Sequence, residues 1–365
     1  MKILHYINGL STGGAEKLLT DILPLMKQSG HEVHLLLSNN NTEVKKYYDL
    51  IQEGGVPIKR LNKANFNPFQ VIHLIRILRK EQFDIVHAHL FPSQYWLAIA
   101  SWFKPPQTRL VKSEHNIFNN RRKYKILKLI ERLVYSRYAM VISITEAVDA
   151  NLLSWLRNVR TVVIHNGVNL KQIAAERVLG MQVNYEFLKP GHFNILMVGR
   201  FSGAKDQNTL IQAMQYLPAH FHLFLAGRGP LVEVTKQFTE SLGLRERVHF
   251  LGMRMDVYSL MNKVDLNVLS THFEGLSGVA LESLASGKPF IGSDVPGVNN
   301  IVPDPRFLFP NKQPELLAKK IIAISADPEL SHEMVKTAQA YVARYDIPLM
   351  CEKYLEVYQS VLNDG

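Results

Sequence analysis

Cysteine is nearly absent from this 365-residue chain: the one thiol, Cys351, leaves no partner for a disulfide framework and no set for a cysteine metal cluster. That usage fits a reducing compartment. Long apolar runs are missing as well, since no window reaches the roughly 18 uncharged residues that a bilayer-spanning helix needs. The opening Met1-Lys-Ile-Leu-His-Tyr-Ile7 is too short for a secretory signal and reads as a first strand. The sequence also lacks low-complexity tracts, short-period repeats, a Gly-x-Gly-x-x-Gly fingerprint and a clear Asp-x-Asp pair in a strand–loop setting. Together these absences remove secreted disulfide scaffolds, membrane-spanning proteins and solenoids, and they weaken a dinucleotide-cofactor reading.

What is present is a balanced composition, 47% hydrophobic and 20% charged, which reads as soluble and globular and long enough for two ordinary domains. The formal net charge of +10 favours acidic partners: nucleic acid, anionic lipid headgroups or phosphorylated substrates. Charge by itself does not choose among them.

The pattern alternates strand and helix throughout. Strands are expected at 2–7, 31–37, 57–61, 83–89, 108–113, 139–144 and 159–164. A second series is expected at 193–198, 222–226, 248–251, 264–269 and 290–293, with helices at 17–27, 42–54, 68–82, 93–103 and 231–242 among others. Such βα series build mostly parallel sheets covered by helices, and their ligands bind beyond the carboxyl ends of the strands. Residues 170–191 show no strong periodicity and read as a linker, which places the domain boundary near 168. After Pro348, Met350, Tyr354, Val357 and Val361 share one face of a last helix that has to dock elsewhere.

Several groups stand where that rule looks for function. Glu274-Gly-Leu-Ser-Gly-Val-Ala-Leu-Glu282 follows a strand and opens a short helix closed by Gly287 and Pro289. The N–H groups of Ser277, Gly278 and Val279 at such a start form an anion site. The two carboxylates should lie several ångströms apart along the helix, suited to gripping two parts of one elongated ligand. Arg200 and Lys205 follow the 193–198 strand, placed to neutralise a diphosphate, Arg as a planar fork and Lys as a point charge. Gly13-Gly14 follows the first strand and permits close approach of a phosphate or a plain turn. His115, in Glu114-His115-Asn116, also follows a strand, and His87 and His89 read as packing or wall residues. In 121–137, Ile126, Leu129, Ile130, Leu133 and Val134 form one helical face, with Lys125, Lys128 and Arg132 on others. The plain expectation is that this face packs against a sheet. The excess of cations also suits contact with an anionic membrane surface.

Taken together, the Gly-Gly-Ala-Glu loop after the first strand, Asp84-Ile-Val-His-Ala-His89, Asn166-Gly-Val168, Gly199-Arg200 with Lys205-Asp206, Ala226-Gly-Arg-Gly-Pro230 and the two-glutamate stretch resemble the retaining glycosyltransferases of family four. Six elements in the right order span nearly the whole chain. The resemblance implies the α/β GT-B fold: two facing Rossmann-like domains with parallel sheets, at 1–168 (acceptor side) and 169–345 (nucleotide-sugar side), and a C-terminal helix, 346–365, crossing back to the first. It implies that Arg200 and Lys205 hold the donor diphosphate, Glu282 the ribose, and Glu274 with the backbone at Ser277 to Val279 the donor sugar. His115 would approach the sugar, Gly13 and Gly14 would lie on the phosphate or acceptor side, and Gly227, Arg228 and Leu251 at the nucleobase end. The catalytic set so implied is His115, Glu274, Arg200 and Lys205. The chemistry requires no metal and no cofactor. Leu276-Ser277 replaces the Phe-Gly or Leu-Pro of many relatives, and Pro296-Gly-Val-Asn-Asn300 lacks their later glutamate; both departures bear on which sugar is accepted.

The expected activity is transfer of a hexosyl-type unit from a nucleotide sugar, UDP favoured over GDP, to a hydroxyl of a lipid-linked or surface-polysaccharide acceptor, as in lipopolysaccharide or capsule assembly. The expected place is the cytoplasm, at the inner face of the membrane, with no nucleic-acid partner. The basic stretch 121–137 and the basic segment 59–80 are its candidate membrane contacts. An epimerase or phosphorylase on the same fold, or a non-catalytic nucleotide-binding subunit of a glycan-assembly complex, are the competing readings.

Overall fold

The computed structural model describes residues 1–11, 13–39, 44–115, 120–180 and 182–364. Asn116, beside His115, and Thr42 and Glu43, at the start of the expected 42–54 helix, lie outside them. The chain divides into two compact units, Met1–Gly167 with Ile347–Gly365, and Val168–Asp346.

The first unit carries a seven-stranded sheet of β1 (Lys2–Ile7), β2 (Glu32–Leu37), β3 (Ile58–Arg60), β4 (Ile85–His89), β5 (Arg109–Glu114), β6 (Met140–Ser143) and β7 (Thr161–Val163), in the order β3-β2-β1-β4-β5-β6-β7. Every pairing is parallel. Successive side chains of β1 feed opposite faces: Ile3 and Ile7 join one apolar layer with Leu19 and Ile22, while Leu4 and Tyr6 join the other with Leu74 and Leu97. A strand covered on both sides has no polar face to alternate with, which explains its nearly continuous apolar sequence.

The last helix, Ile347–Asn363, packs into the first of these layers and against the helix Gly14–Gln28. Its buried side is Met350, Cys351, Tyr354, Tyr358 and Val361, with Val357 only partly covered. Two tyrosine hydroxyls contribute to the polar part of this docking: Tyr358 meets His87 Nδ1 at 2.6 Å and Tyr354 meets Ser113 Oγ at 3.4 Å.

The helix Leu127–Tyr135 reverses the packing expected of it. Ile126, Leu129, Ile130 and Leu133 are 77%, 72%, 51% and 54% exposed, while Glu131 is completely buried alongside Val134 and Tyr135. The cause is polar. One Glu131 oxygen accepts from the Tyr95 hydroxyl (2.9 Å) and Arg121 Nε (3.1 Å), and the other accepts from Trp155 Nε1 at 2.7 Å. Removing one member of a buried, fully partnered charge cluster costs about 3–5 kcal/mol, enough to fix which side of a short helix faces inward.

The second unit carries a six-stranded parallel sheet of β8 (Phe193–Val198), β9 (Phe221–Ala226), β10 (Val248–Gly252), β11 (Leu266–Leu269), β12 (Phe290–Ser293) and β13 (Leu308–Phe309), ordered β10-β9-β8-β11-β12-β13. The two-residue β13 was not foreseen. The presumed linker is instead the helix Leu170–Gly180, seated on the helix Val257–Lys263, where Ser259 Oγ donates to the Glu176 carbonyl at 3.0 Å. Its buried residues are Ile173 and Gly180, too few for an apolar rhythm, and a side chain at Gly180 would press on Ser259.

Both sheets reverse their winding once, between β1 and β4 and between β8 and β11. A crevice opens at such a reversal because the flanking loops leave toward opposite sides, and ligands of open parallel sheets sit there.

Candidate functional site

In the second unit the loops leaving β8, β11 and β12 are tied into one assembly. The Asp206 N–H donates to the Ser270 carbonyl (3.0 Å), His272 N–H to the Ala204 carbonyl (2.9 Å) and Thr271 Oγ1 to the same carbonyl (2.8 Å). On the other side the Glu274 N–H donates to the Pro296 carbonyl (3.2 Å) and Ser277 N–H to the Gly297 carbonyl (3.1 Å). These bonds bring Lys205 Nζ onto the Glu274 carboxylate as a partly buried ion pair. Lysine and glutamate arrive from the two strands that flank the winding reversal, 69 residues apart in the chain.

Beside the pair stands the N-terminus of the helix Gly278–Ala285. Ser277 is its N-cap, and the side-chain oxygen accepts from Ala280 N–H at 3.3 Å. The expectation that the Ser277 N–H is an open donor is corrected: the Gly297 carbonyl consumes it. The orphan donors of this start are therefore Gly278 and Val279. Space in front of Gly278 is open, since an added Cβ would meet nothing within 4 Å. An anion placed there gains two N–H groups and the positive end of the helix dipole.

The remaining residues are distributed along this edge. Arg200 is exposed at the end of β8 and makes no ion pair among the described residues. Glu282, further along the helix, is half-buried and accepts from the Tyr258 hydroxyl at 2.9 Å, so Tyr258 orients this carboxylate. The sequence offered no signal for Tyr258 beyond its place at the start of a short helix. Gly227 and Gly229 sit where the backbone of the preceding loop comes too close for a side chain. A side chain on Gly227, whose φ is +151°, would overlap the Gly199 carbonyl, and one on Gly229 would overlap Phe201. Arg228, between them, is exposed, and Leu251 is half-buried in β10. Gly297, with φ of +81°, was also missed as a site-shaping residue: any Cβ there would run into the Glu274 backbone.

Gly13, Gly14 and His115 belong to the first unit. Gly13 N-caps the helix Gly14–Gln28 and abuts the Glu16 carboxylate, which a side chain there would displace, whereas Gly14 faces open space. His115 follows β5, its Nε2 has no partner among the described residues, and its ring centroid lies 5.9 Å from that of His89. Burial pushes the His115 pKa down to about 4 against the pull of Glu114, so the ring is neutral at neutral pH.

His5, His87 and His89 form a fully buried group whose nitrogens lie within 4.8 Å of one another. These nitrogens are largely spent within the protein. His87 uses Nδ1 on Tyr358 and Nε2 on Ser113 Oγ (2.9 Å), and His5 Nδ1 shares a hydrogen with His89 Nε2 at 3.0 Å. The His87 and His89 rings stack at 4.1 Å. Wall and packing roles account for them.

Comparisons with known proteins identify the family and the fold. The family Glycosyltransferase Family 4 matches residues 12–172, and the family Glycosyl transferases group 1 matches residues 185–341. A Campylobacter jejuni protein, N-acetylgalactosamine-N,N'-diacetylbacillosaminyl-diphospho-undecaprenol 4-alpha-N-acetylgalactosaminyltransferase, is 25% identical over 80% of this chain and 80% of its own. The lipopolysaccharide core biosynthesis glycosyltransferase LpsD of Rhizobium meliloti is 26% identical over 81% of this chain and 79% of its own. The crystal structure of Anabaena Alr3699/HepE in complex with UDP-glucose superposes with a TM-score of 0.83, at 23% identity over 99% of this chain and 100% of the other. With two parallel-sheet Rossmann-like units and a C-terminal helix returning to the first, the chain belongs to the family-four glycosyltransferases and has the GT-B fold.

Proposed function

We propose that the chain transfers a hexosyl-type unit from a UDP-sugar to a hydroxyl of a lipid-linked or surface-polysaccharide acceptor, with retention at the anomeric carbon and without a metal. The observation that carries this reading is the Lys205–Glu274 pair at the β8/β11 reversal, beside the orphan N–H groups of Gly278 and Val279. A nucleoside diphosphate entering there offers Lys205 a phosphate in exchange for its carboxylate. Arg200 then closes on the diphosphate as a fork, Glu282 takes the ribose hydroxyls, and the freed Glu274 turns to the donor sugar.

In the transfer, the bond between the anomeric carbon and the β-phosphate oxygen breaks, the acceptor oxygen bonds that carbon from the same face, and the acceptor proton passes to the departing phosphate. Negative charge grows on the diphosphate as it leaves, and donors fixed in place beforehand stabilise that growth without reorganising. The acceptor class is supported by the undecaprenol-linked and lipopolysaccharide-core names of the relatives, and the base by the UDP-glucose complex of the Anabaena protein. His115 is assigned to the sugar as a neutral hydrogen-bonding group, Gly14 to the phosphate or acceptor side, and Arg228 and Leu251 to the base. The working location is the inner face of the cytoplasmic membrane.

A thermal-shift panel of UDP-, GDP- and ADP-sugars, followed by incubation of the best stabiliser with and without acceptor extract, tests the reading. Ligand at 100 times its Kd adds about 2.7 kcal/mol of stability. A UDP-sugar should raise the transition most and be consumed only with acceptor. Stabilisation by GDP-sugars alone would remove the base assignment, and donor conversion without acceptor would identify an epimerase.

A further inference from the structure

The inverted helix Leu127–Tyr135 leaves an apolar strip exposed among the described residues. Ile126, Leu129, Ile130 and Leu133 fall within about a third of the helix circumference at roughly 100° per residue, and Tyr124 adds a 64% exposed ring just before them. Lys125, Lys128 and Arg132 are all exposed and fall on the neighbouring strip. None of the three has a carboxylate partner among the described residues. Exposed aromatic residues continue the surface at both ends. Arg121 lies over Phe91 at 4.2 Å, Phe66 touches Phe91 at 5.8 Å between centroids, and Arg137 lies over Trp102 at 5.2 Å.

We propose that this face docks on the surface of an anionic lipid bilayer, with Ile126, Leu129 and Leu133 entering the headgroup–acyl boundary and Lys125, Lys128 and Arg132 on the phosphates. A helix that is apolar on one side and cationic beside it, with low overall hydrophobicity, is built to lie in that plane. A second copy of the chain is a poorer occupant. A two-fold contact through this strip sets Lys125, Lys128, which also lies over the Trp155 ring at 5.2 Å, and Arg132 against their own symmetry mates, whereas lipid phosphates complement them. The buried Glu131 cluster keeps the face outward, because rotating the helix would strip a carboxylate of three hydrogen bonds. The basic segment 59–80 is a weaker candidate, since Lys59 pairs with Glu81 and Arg60 lies over Tyr48. The inference deepens the lipid-linked acceptor reading: a polyprenyl-type acceptor is confined to a bilayer, and an enzyme held at that surface meets it in two dimensions.

The test is co-sedimentation of the full chain with phosphatidylcholine vesicles and with vesicles that also contain phosphatidylglycerol, at low and high salt, with no nucleotide or acceptor. Binding should require phosphatidylglycerol and fall with salt. K125E/K128E and L129Q/L133Q should each lower the partition coefficient about tenfold or more, roughly fivefold being expected per cation removed. These side chains are exposed, so circular dichroism and the UDP-sugar thermal shift should stay at wild-type values. Absence of binding to anionic vesicles, or equal binding by both variants, overturns the proposal. So does a wild-type dimer that L129Q/L133Q dissociates, which assigns the face to a second copy. Failure of the UDP-sugar shift with vesicle binding intact would instead count against the donor assignment.

Discussion

The two winding reversals of this molecule share a topology and differ in chemistry. At β1/β4 the strands themselves carry His5, His87 and, at the end of β4, His89, fully buried, neutral and engaged with one another and with the last helix. At β8/β11 the strand ends carry loops that hold a lysine, a glutamate and a helix start, partly exposed and charged. Topology opens a crevice in both places; the side chains decide whether it is filled by the protein or kept for an anion. A cluster of neutral rings offers a diphosphate no charge, whereas a lysine paired with a carboxylate carries the cation that the proposed donor site needs.

The contrast can be broken most severely at Glu274. Glu274→Ala should lower turnover by about 10²–10³-fold or more, measured by product formation, with the UDP-sugar thermal shift preserved. Equal loss at a histidine of the other reversal and none at Glu274 would exchange the roles of the two crevices.

Acid should weaken the first reversal. Burial lowers the pKa of His5 to about 3 and of His115 to about 4, while an unfolded histidine titrates near 6.5. Native rings therefore stay unprotonated where unfolded rings take up protons. The stability they contribute is complete above pH 6.5 and is lost as the pH falls from there to about 4 for His115 and about 3 for His5. The slope is on the order of 1 kcal/mol per pH unit for each ring. Hydrogen exchange at pH 7 and pH 5 should show the loss in β1 and β4 amides ahead of β8 and β11.

Gly227→Ala sharpens the structural side of the second reversal. Its Cβ would overlap the Gly199 carbonyl at a backbone conformation that suits glycine, so a loss of about 2 kcal/mol is expected in denaturant titration. Retention of full stability would show that the crossing of the β8 and β9 loops is loose. The smallest effect is expected from Tyr358→Phe, which leaves His87 Nδ1 without its partner in a buried place. A loss of about 1 kcal/mol, read as a lower thermal midpoint, would confirm that the last helix is held partly through the histidine stack.

Much of this was legible beforehand because it depends on local pattern. Strand periodicity located the sheets, and the charged residues at strand ends marked the edge that is proposed to take the donor. What escaped depends on partners distant in the chain. Glu131 looks like a solvated charge until Tyr95, Trp155 and Arg121 converge on it, and that convergence turned the helix Leu127–Tyr135 inside out. The segment 170–180 hid its helix because it buries so little. Ser277 seemed an open donor because nothing in its own stretch announces the Gly297 carbonyl, which comes from the loop after the next strand.

That last contact has a practical consequence for altering the enzyme. Residues 274–277 and 296–297 are joined by two backbone hydrogen bonds and by a glycine with no room for a side chain. They behave as one cassette: grafting the 294–300 turn of a relative with different taste in sugars would drag the Glu274 backbone with it, and exchanging Leu276-Ser277 alone would leave the turn mismatched. Under the proposed role of Glu274, recombination that carries both segments together is the route by which donor preference would change while the carboxylate keeps its place.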